Sequence, residues 1–144
     1  MRHGDGLLVT PTGMGYDRLS ADDIVPMHMD GGFDGRLRPT SEWRFHRDIL
    51  QRRADVHAVV HTHAPYATVV SIQRREIPPL HYMIAAAGGP TIRCADYATF
   101  GTAALSEAAL TALDGRLACL LANHGMIACG ATLDKAVALA VEVE

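Results

Sequence analysis

The sequence predicts an α/β fold, and three observations carry that reading. Short apolar runs alternate along the chain with segments of helical periodicity. Breakers such as Pro11, Gly31, Pro78 and Gly88 stand at the joints between them. The composition, 49% hydrophobic and 20% charged, is that of a globular chain with a core and not of a disordered one.

The elements follow in order. Leu7-Leu-Val-Thr10 predicts a strand that Pro11-Thr-Gly13 turns into a tight loop. Ser20-Ala-Asp-Asp23 has capping-box spacing and opens one helical turn at most. Val25 to Asp30 alternates and ends at Gly31-Gly32, a strand and turn, with Asp34-Gly35 supporting a hairpin. Pro39-Thr-Ser41 sets up a helix from about Ser41 to Arg53. Thr40 or Ser41 is its N-cap and Glu42 stands in its first turn. Val56 to His63 reads as a strand, and Pro65 opens a helix to about Arg74. Tyr82 to Ala87 is an apolar run stopped by Gly88-Gly89, and Thr91 to Cys94 is a short strand. Thr102 caps a helix to Leu113. Leu117 to Ala122 and Met126 to Cys129 are strands separated by Asn123-His-Gly125. Thr132 leads into a last helix with Leu133, Ala136, Val137, Ala140 and Val141 on one face. That helix reaches Glu144 with no Gly, Asn or cationic cap, which predicts a natural chain that continues.

Length and charge narrow the function. A chain of 144 residues suits one domain, 1–144. A net charge of −3 supplies no basic field for nucleic acid or an anionic membrane. The longest uncharged stretches are interrupted by Gly and by His, Asn or Pro, so none reads as a transmembrane helix, and the N-terminus has no signal-peptide run. Cys94, Cys119 and Cys129 are odd in number and lack CxxC spacing, which predicts reduced thiols in a cytoplasmic protein.

Histidine is the informative residue. Of eight histidines, five (His46, His57, His61, His63, His81) fall in one stretch. On a strand, His61 and His63 share a face, roughly 6.6–6.8 Å apart along it, and can converge on one metal. The alternative is an ordinary solvent-facing pair. His124, between two apolar strands, is the natural third ligand or else a hydrogen-bonded turn histidine. Glu42 is a dipole-stabilising surface residue or a carboxylate beside an anion site. Such a site would be built from the Thr40 and Ser41 hydroxyls and the helix start, with Thr12-Gly13 as further donors. Tyr82 is a core aromatic or a phenol proton donor. His3, His28, His46 and His57 have no partner pattern, and Arg74-Arg75 reads as a solvated helix end.

Six stretches together resemble the class II aldolase/adducin family, nearest to its L-fuculose-1-phosphate aldolases. They are Gly6-Leu-Leu-Val-Thr-Pro-Thr-Gly13, Pro39-Thr-Ser-Glu-Trp-Arg-Phe-His46, Ala58-Val-Val-His-Thr-His-Ala64, His81-Tyr-Met-Ile-Ala-Ala-Ala-Gly-Gly89, Tyr97-Ala-Thr-Phe-Gly-Thr102 and Asn123-His-Gly-Met-Ile-Ala-Cys129. The resemblance implies a three-layer α/β/α sandwich around a largely antiparallel sheet. It implies one zinc ion per subunit on His61, His63, His124 and Glu42. It implies phosphate at Thr12, Gly13, Thr40 and Ser41, and Phe100 seating an aldehyde. It places Tyr82 as a catalytic phenol reaching in from the neighbouring subunit of a homotetramer, with Glu42 as the general base. The implied reaction is reversible, zinc-dependent cleavage of a phosphorylated ketose, such as L-fuculose 1-phosphate, into dihydroxyacetone phosphate and an aldehyde, such as L-lactaldehyde. A metal-stabilised enediolate lies between them. The alternatives are a sugar-phosphate epimerase or dehydratase of the same family, or a truncated, non-catalytic adducin-like domain. Family members are usually longer at both ends, which makes this chain an incomplete family domain.

Overall fold

The computed structural model describes residues 1–144. Strands β1 (Arg2–His3), β2 (Gly6–Val9) and β3 (Val25–Met27) form a small antiparallel sheet. Helix α1 (Trp43–Arg52), strand β4 (Ala58–Thr62) and helix α2 (Pro65–Ile72) follow. After them come β5 (Cys94–Ala95), α3 (Ala103–Ala112), β6 (Ala118–Leu121), β7 (Gly125–Gly130) and α4 (Leu133–Val143). The main sheet runs β4-β7-β6-β5; only the β5–β6 pair is parallel.

Alternation along the strands builds the layers. Cys119, Leu121, Ile127 and Cys129 face one way and join Phe45, Ile49 and Leu50 of α1 with Leu105, Ala109 and Ala112 of α3. Ala118, Leu120, Met126 and Ala128 face the other way and join Ala67 of α2 with Leu139, Ala140 and Val143 of α4. The result is the expected α/β/α sandwich on a largely antiparallel sheet. β6 and β7 are buried at every position, which is why they read as unbroken apolar runs. The small sheet adds Leu7, Val9, Val25 and Met27 to the α1–α3 side. Two arginines finish α3: Arg53 donates to the Leu113 and Arg116 carbonyls at 3.1 and 2.9 Å, and Arg93 donates to that of Asp114 at 2.8 Å.

Several expectations need correction. The helix expected from Ser41 begins at Trp43; Glu42 occupies the N-cap position, and Thr40 acts two residues earlier, its hydroxyl accepting the Glu42 N–H at 3.3 Å. The strand expected to reach Asp30 stops at Met27, where His28 N–H turns back to the Gly32 carbonyl at 2.8 Å. His63 lies just past the end of β4, because Pro65 starts α2 and removes a ladder donor. Tyr82–Ala87 is a 3-10 helix. On α4 the buried face is Ala136, Leu139, Ala140 and Val143, whereas Leu133, Val137 and Val141 are exposed. Apolar residues encircle that helix, so its periodicity has two solutions; close approach of α4 to Gly130, whose missing Cβ would sit 2.6 Å from the Ala136 nitrogen, selects the other one. No helix is long and apolar enough to cross a membrane.

Candidate metal centre

The β6–β7 turn explains itself residue by residue. Asn123 is left-handed at φ 56°, a conformation that Asn tolerates better than most side chains. His124 follows at the apex of the turn. Gly125 lets β7 start flush against β4: a Cβ there would lie 2.3 Å from the Thr62 carbonyl oxygen and 3.1 Å from the His63 ring. The turn thereby delivers His124 to the end of β4, where His61 and His63 stand.

Four side chains meet there. His61 Nε2 lies 3.0 Å from His63 Nε2 and 3.1 Å from Glu42 Oε2, and His124 Nε2 lies 3.2 Å from Glu42 Oε1. The four candidate ligand atoms lie within 4.8 Å of one another. The side chains of His61, Glu42 and His124 are only 10%, 12% and 14% exposed, so water does little to screen them. Phe45 packs against the edge of the His61 ring at 5.2 Å and backs it from the core side.

The proton count fits a cation. His61 Nδ1 lies 2.9 Å from the Met126 carbonyl, an acceptor only, so Nδ1 carries the hydrogen and Nε2 presents a bare lone pair. That lone pair faces the second imidazole nitrogen and a carboxylate oxygen. Glu42 Oε1 is buried with no hydrogen-bond partner. Three imidazole nitrogens and one carboxylate oxygen in such an arrangement match the donor set of a divalent transition metal.

Electrostatics agree. Burial pushes the Glu42 carboxyl up, but the imidazoles of His124 and His61 beside it outweigh that and hold the group well below its usual range. Burial, then the neighbouring His61 and His124, pull His63 down. Burial, with His61 second, lowers His46 to about 3. His63 therefore favours the neutral form that ligates metal.

A cavity of about 780 Å³ opens over the cluster, with Thr10, Thr40, Glu42, His46, His61 and His63 in its wall. The expected phosphate loop lies beside it: Thr12 N–H donates to the Arg38 carbonyl at 3.0 Å, and Thr40 N–H donates to that of Thr10 at 2.9 Å. Gly13 takes φ 73° at the loop's end. Gly101, left-handed, lets the Phe100 loop approach Ser41, whose carbonyl oxygen would be 2.8 Å from a Cβ there. Of the five expected residues Thr40 lines the cavity, whereas Thr12, Gly13, Ser41 and Phe100 lie outside its wall. Tyr82 is 79% exposed, its ring tilted against that of His81, and it lies outside the cavity wall.

Sequence reasoning missed two features. His46 lines the cavity, a position foreshadowed by its i+4 spacing from Glu42 on α1. Arg74 is not merely a solvated helix end, since it lies within 3.1 Å of the Asn123 side-chain amide and donates to its oxygen in the amide orientation that satisfies both groups; nothing in the local sequence announces that contact.

Comparison with known proteins follows the geometry. The family model for the class II aldolase and adducin N-terminal domain matches residues 1–144. A 5-methylthioribulose-1-phosphate/5-deoxyribulose-1-phosphate aldolase of Rhodospirillum rubrum is 58% identical over all 144 residues. An L-fuculose phosphate aldolase of Escherichia coli K12 is 53% identical over the same span. The chain covers 65% and 67% of the lengths of these two relatives. The solved structure of an L-fuculose 1-phosphate aldolase superposes with a TM-score of 0.93 at 41% identity, covering 96% of this chain and 66% of that one.

Proposed function

This chain belongs to the class II aldolase and adducin family, and on that premise we propose that it is the metal-binding part of an aldolase acting on a ketose 1-phosphate. The observation that carries the reading is the convergence of His61, His63, His124 and Glu42, with an unprotonated nitrogen and an unpartnered carboxylate oxygen turned inward. We assign zinc to these four residues, because three imidazoles and one carboxylate form a zinc donor set. A zinc ion bound there would act as a Lewis acid toward the carbonyl and adjacent hydroxyl oxygens of the substrate.

The chain's own residues would do the rest. Thr12, Gly13, Thr40 and Ser41 hold the phosphate at the cavity edge, and Phe100 seats the aldehyde. In the synthetic direction Glu42, which the binding of dihydroxyacetone phosphate would release from the metal, takes the C3 proton of that substrate. The C3 electron pair then forms the bond to the aldehyde carbon. Tyr82 gives its proton to the new alkoxide, and solvent carries the Glu42 proton back to the phenolate. Cleavage reverses these steps. The exposure of Tyr82 supports an arm that serves the site of a neighbouring copy in a homotetramer. Three free cysteines support a reducing, cytoplasmic setting.

L-Fuculose 1-phosphate, with L-lactaldehyde as the released aldehyde, is the first substrate reading. The 58% identity to the Rhodospirillum relative favours a second, a 5-deoxyribulose 1-phosphate, cleaved by the same steps. Coupled assay of dihydroxyacetone phosphate release from each sugar phosphate tests both. Release from either one supports the aldolase. Release from neither, by zinc-loaded protein, overturns it.

A further inference from the structure

Helix α2 lies between two of the cluster residues. Its first residue, Pro65, follows His63 after a single residue, and Ala64 at its N-cap has no side chain able to cap it. Pro65 has no N–H, so the next donors, on Tyr66 and Ala67, are those the helix leaves unpaired. Both are taken by one distant residue: the Glu144 carboxylate oxygens accept them at 3.0 Å each. At the other end of α2 the Ser71 carbonyl accepts the Asn123 N–H at 3.1 Å. In the orientation its neighbours select, the Asn123 amide donates to the Ile72 carbonyl at 3.3 Å and accepts from Arg74 at 3.1 Å. Asn123 directly precedes His124. One helix, which starts two residues after His63, is therefore held at its start by Glu144 and at its end by Asn123, the residue before His124. Both of these residues are far away in sequence.

We infer that α2 is a strut that sets the separation of His63 and His124, with Glu144 and Asn123 as positioning residues for the metal cluster. The inference rests on the reading of that cluster as a metal site. A carboxylate on a helix N-terminus makes charge-assisted bonds and complements the helix dipole, so Glu144 fixes α2 axially. Asn123 fixes the turn against the last helical carbonyls. Neither side chain is placed to touch the metal, so their effect passes through the two histidines.

Cobalt(II) is the probe. The metal-free protein is titrated with it, affinity is measured by competition with a chelator, and the visible spectrum reports ligand geometry. The variants are Glu144→Ala, Glu144→Gln, Asn123→Ala and Asn123→Gly, with Arg53→Gln as a control that removes a helix cap on the opposite face. All are measured well below their unfolding temperatures. Glu144→Ala and Asn123→Ala are expected to bind cobalt about tenfold or more weakly, the loss typical of residues that orient ligands, and to show a changed spectrum. Glu144→Gln, which keeps one acceptor oxygen, should recover part of the loss. Asn123→Gly keeps the left-handed turn but loses the amide bonds, and should match Asn123→Ala. Arg53→Gln should lose stability and keep its cobalt affinity. Affinities within about twofold of wild type in both alanine variants, or losses that Arg53→Gln shares, overturn the inference. A wild-type protein that binds no cobalt overturns the metal reading itself and this inference with it, a result distinct from equal binding by wild type and variants.

Discussion

The corner holding His61, His63, His124 and Glu42 contrasts with the segments carrying Tyr82 and Phe100. The first stands at the end of β4 and on the turn between the fully buried β6 and β7, and its side chains already converge within one chain. The second is exposed, with Tyr82 79% and Phe100 64% accessible. The difference follows from the forces that place each. Strand register and the Gly125 contact fix the histidines, whereas Tyr82 meets the neighbouring His81 ring and is otherwise open. The donor set that could hold a metal is thus assembled within the chain itself, and proton transfer by Tyr82 would need a surface from elsewhere.

The strongest way to break this contrast is Gly125→Ala. A Cβ 2.3 Å from the Thr62 carbonyl forces β7 and β4 apart, with a destabilisation of about 3 kcal/mol or more, visible as a large drop in denaturant midpoint and loss of metal. Next is Glu42→Gln. Turnover should fall by about 10²–10⁴-fold if this carboxylate is the base, and the metal should be held more weakly. The same variant changes the acid limb of the metal-free protein. The Glu42 carboxyl is held below its ordinary 4.5, so its stabilising contribution is complete above that pH and is lost as pH falls toward the folded value. Unfolding followed from pH 6 downward should therefore be shallower for Gln than for Glu.

Tyr82→Phe sharpens the contrast from the other side. It should lower turnover by about 10²-fold while leaving metal stoichiometry and thermal midpoint unchanged. The smallest effect is chemical. Burial pushes Cys129 up to about 12 and Cys119 well above its ordinary value, so neither should alkylate in the folded protein at pH 8. Cys94, half-buried and raised less, should react first, and slowly. Rapid labelling of Cys129 would show that the β4–β7 seam opens.

Much of this was legible in the sequence, for physical reasons. The apolar runs at Leu117 and Met126, the Thr102 and Thr132 caps and Pro65 at a helix start each act locally, and each marked its element. Pairing His61 with His63 needed only the period of a strand. The place of His124 between two apolar strands makes it a candidate third ligand, but choosing that reading and adding Glu42 take the family resemblance, because strand order β4-β7-β6-β5 is a long-range fact that no local pattern states. The buried face of α4 was misread because apolar residues surround it. The bonds from Glu144 to α2 and from Arg74 to Asn123 join segments remote in sequence or separated by a turn, and composition gives no sign of them.

The most direct test of the central claim is the metal content of the purified, untagged chain by elemental mass spectrometry, beside His61→Ala. About one zinc per chain, lost in the variant, is the predicted result. No bound metal after zinc is offered to folded protein, or equal zinc in both, would contradict a centre built by His61, His63, His124 and Glu42.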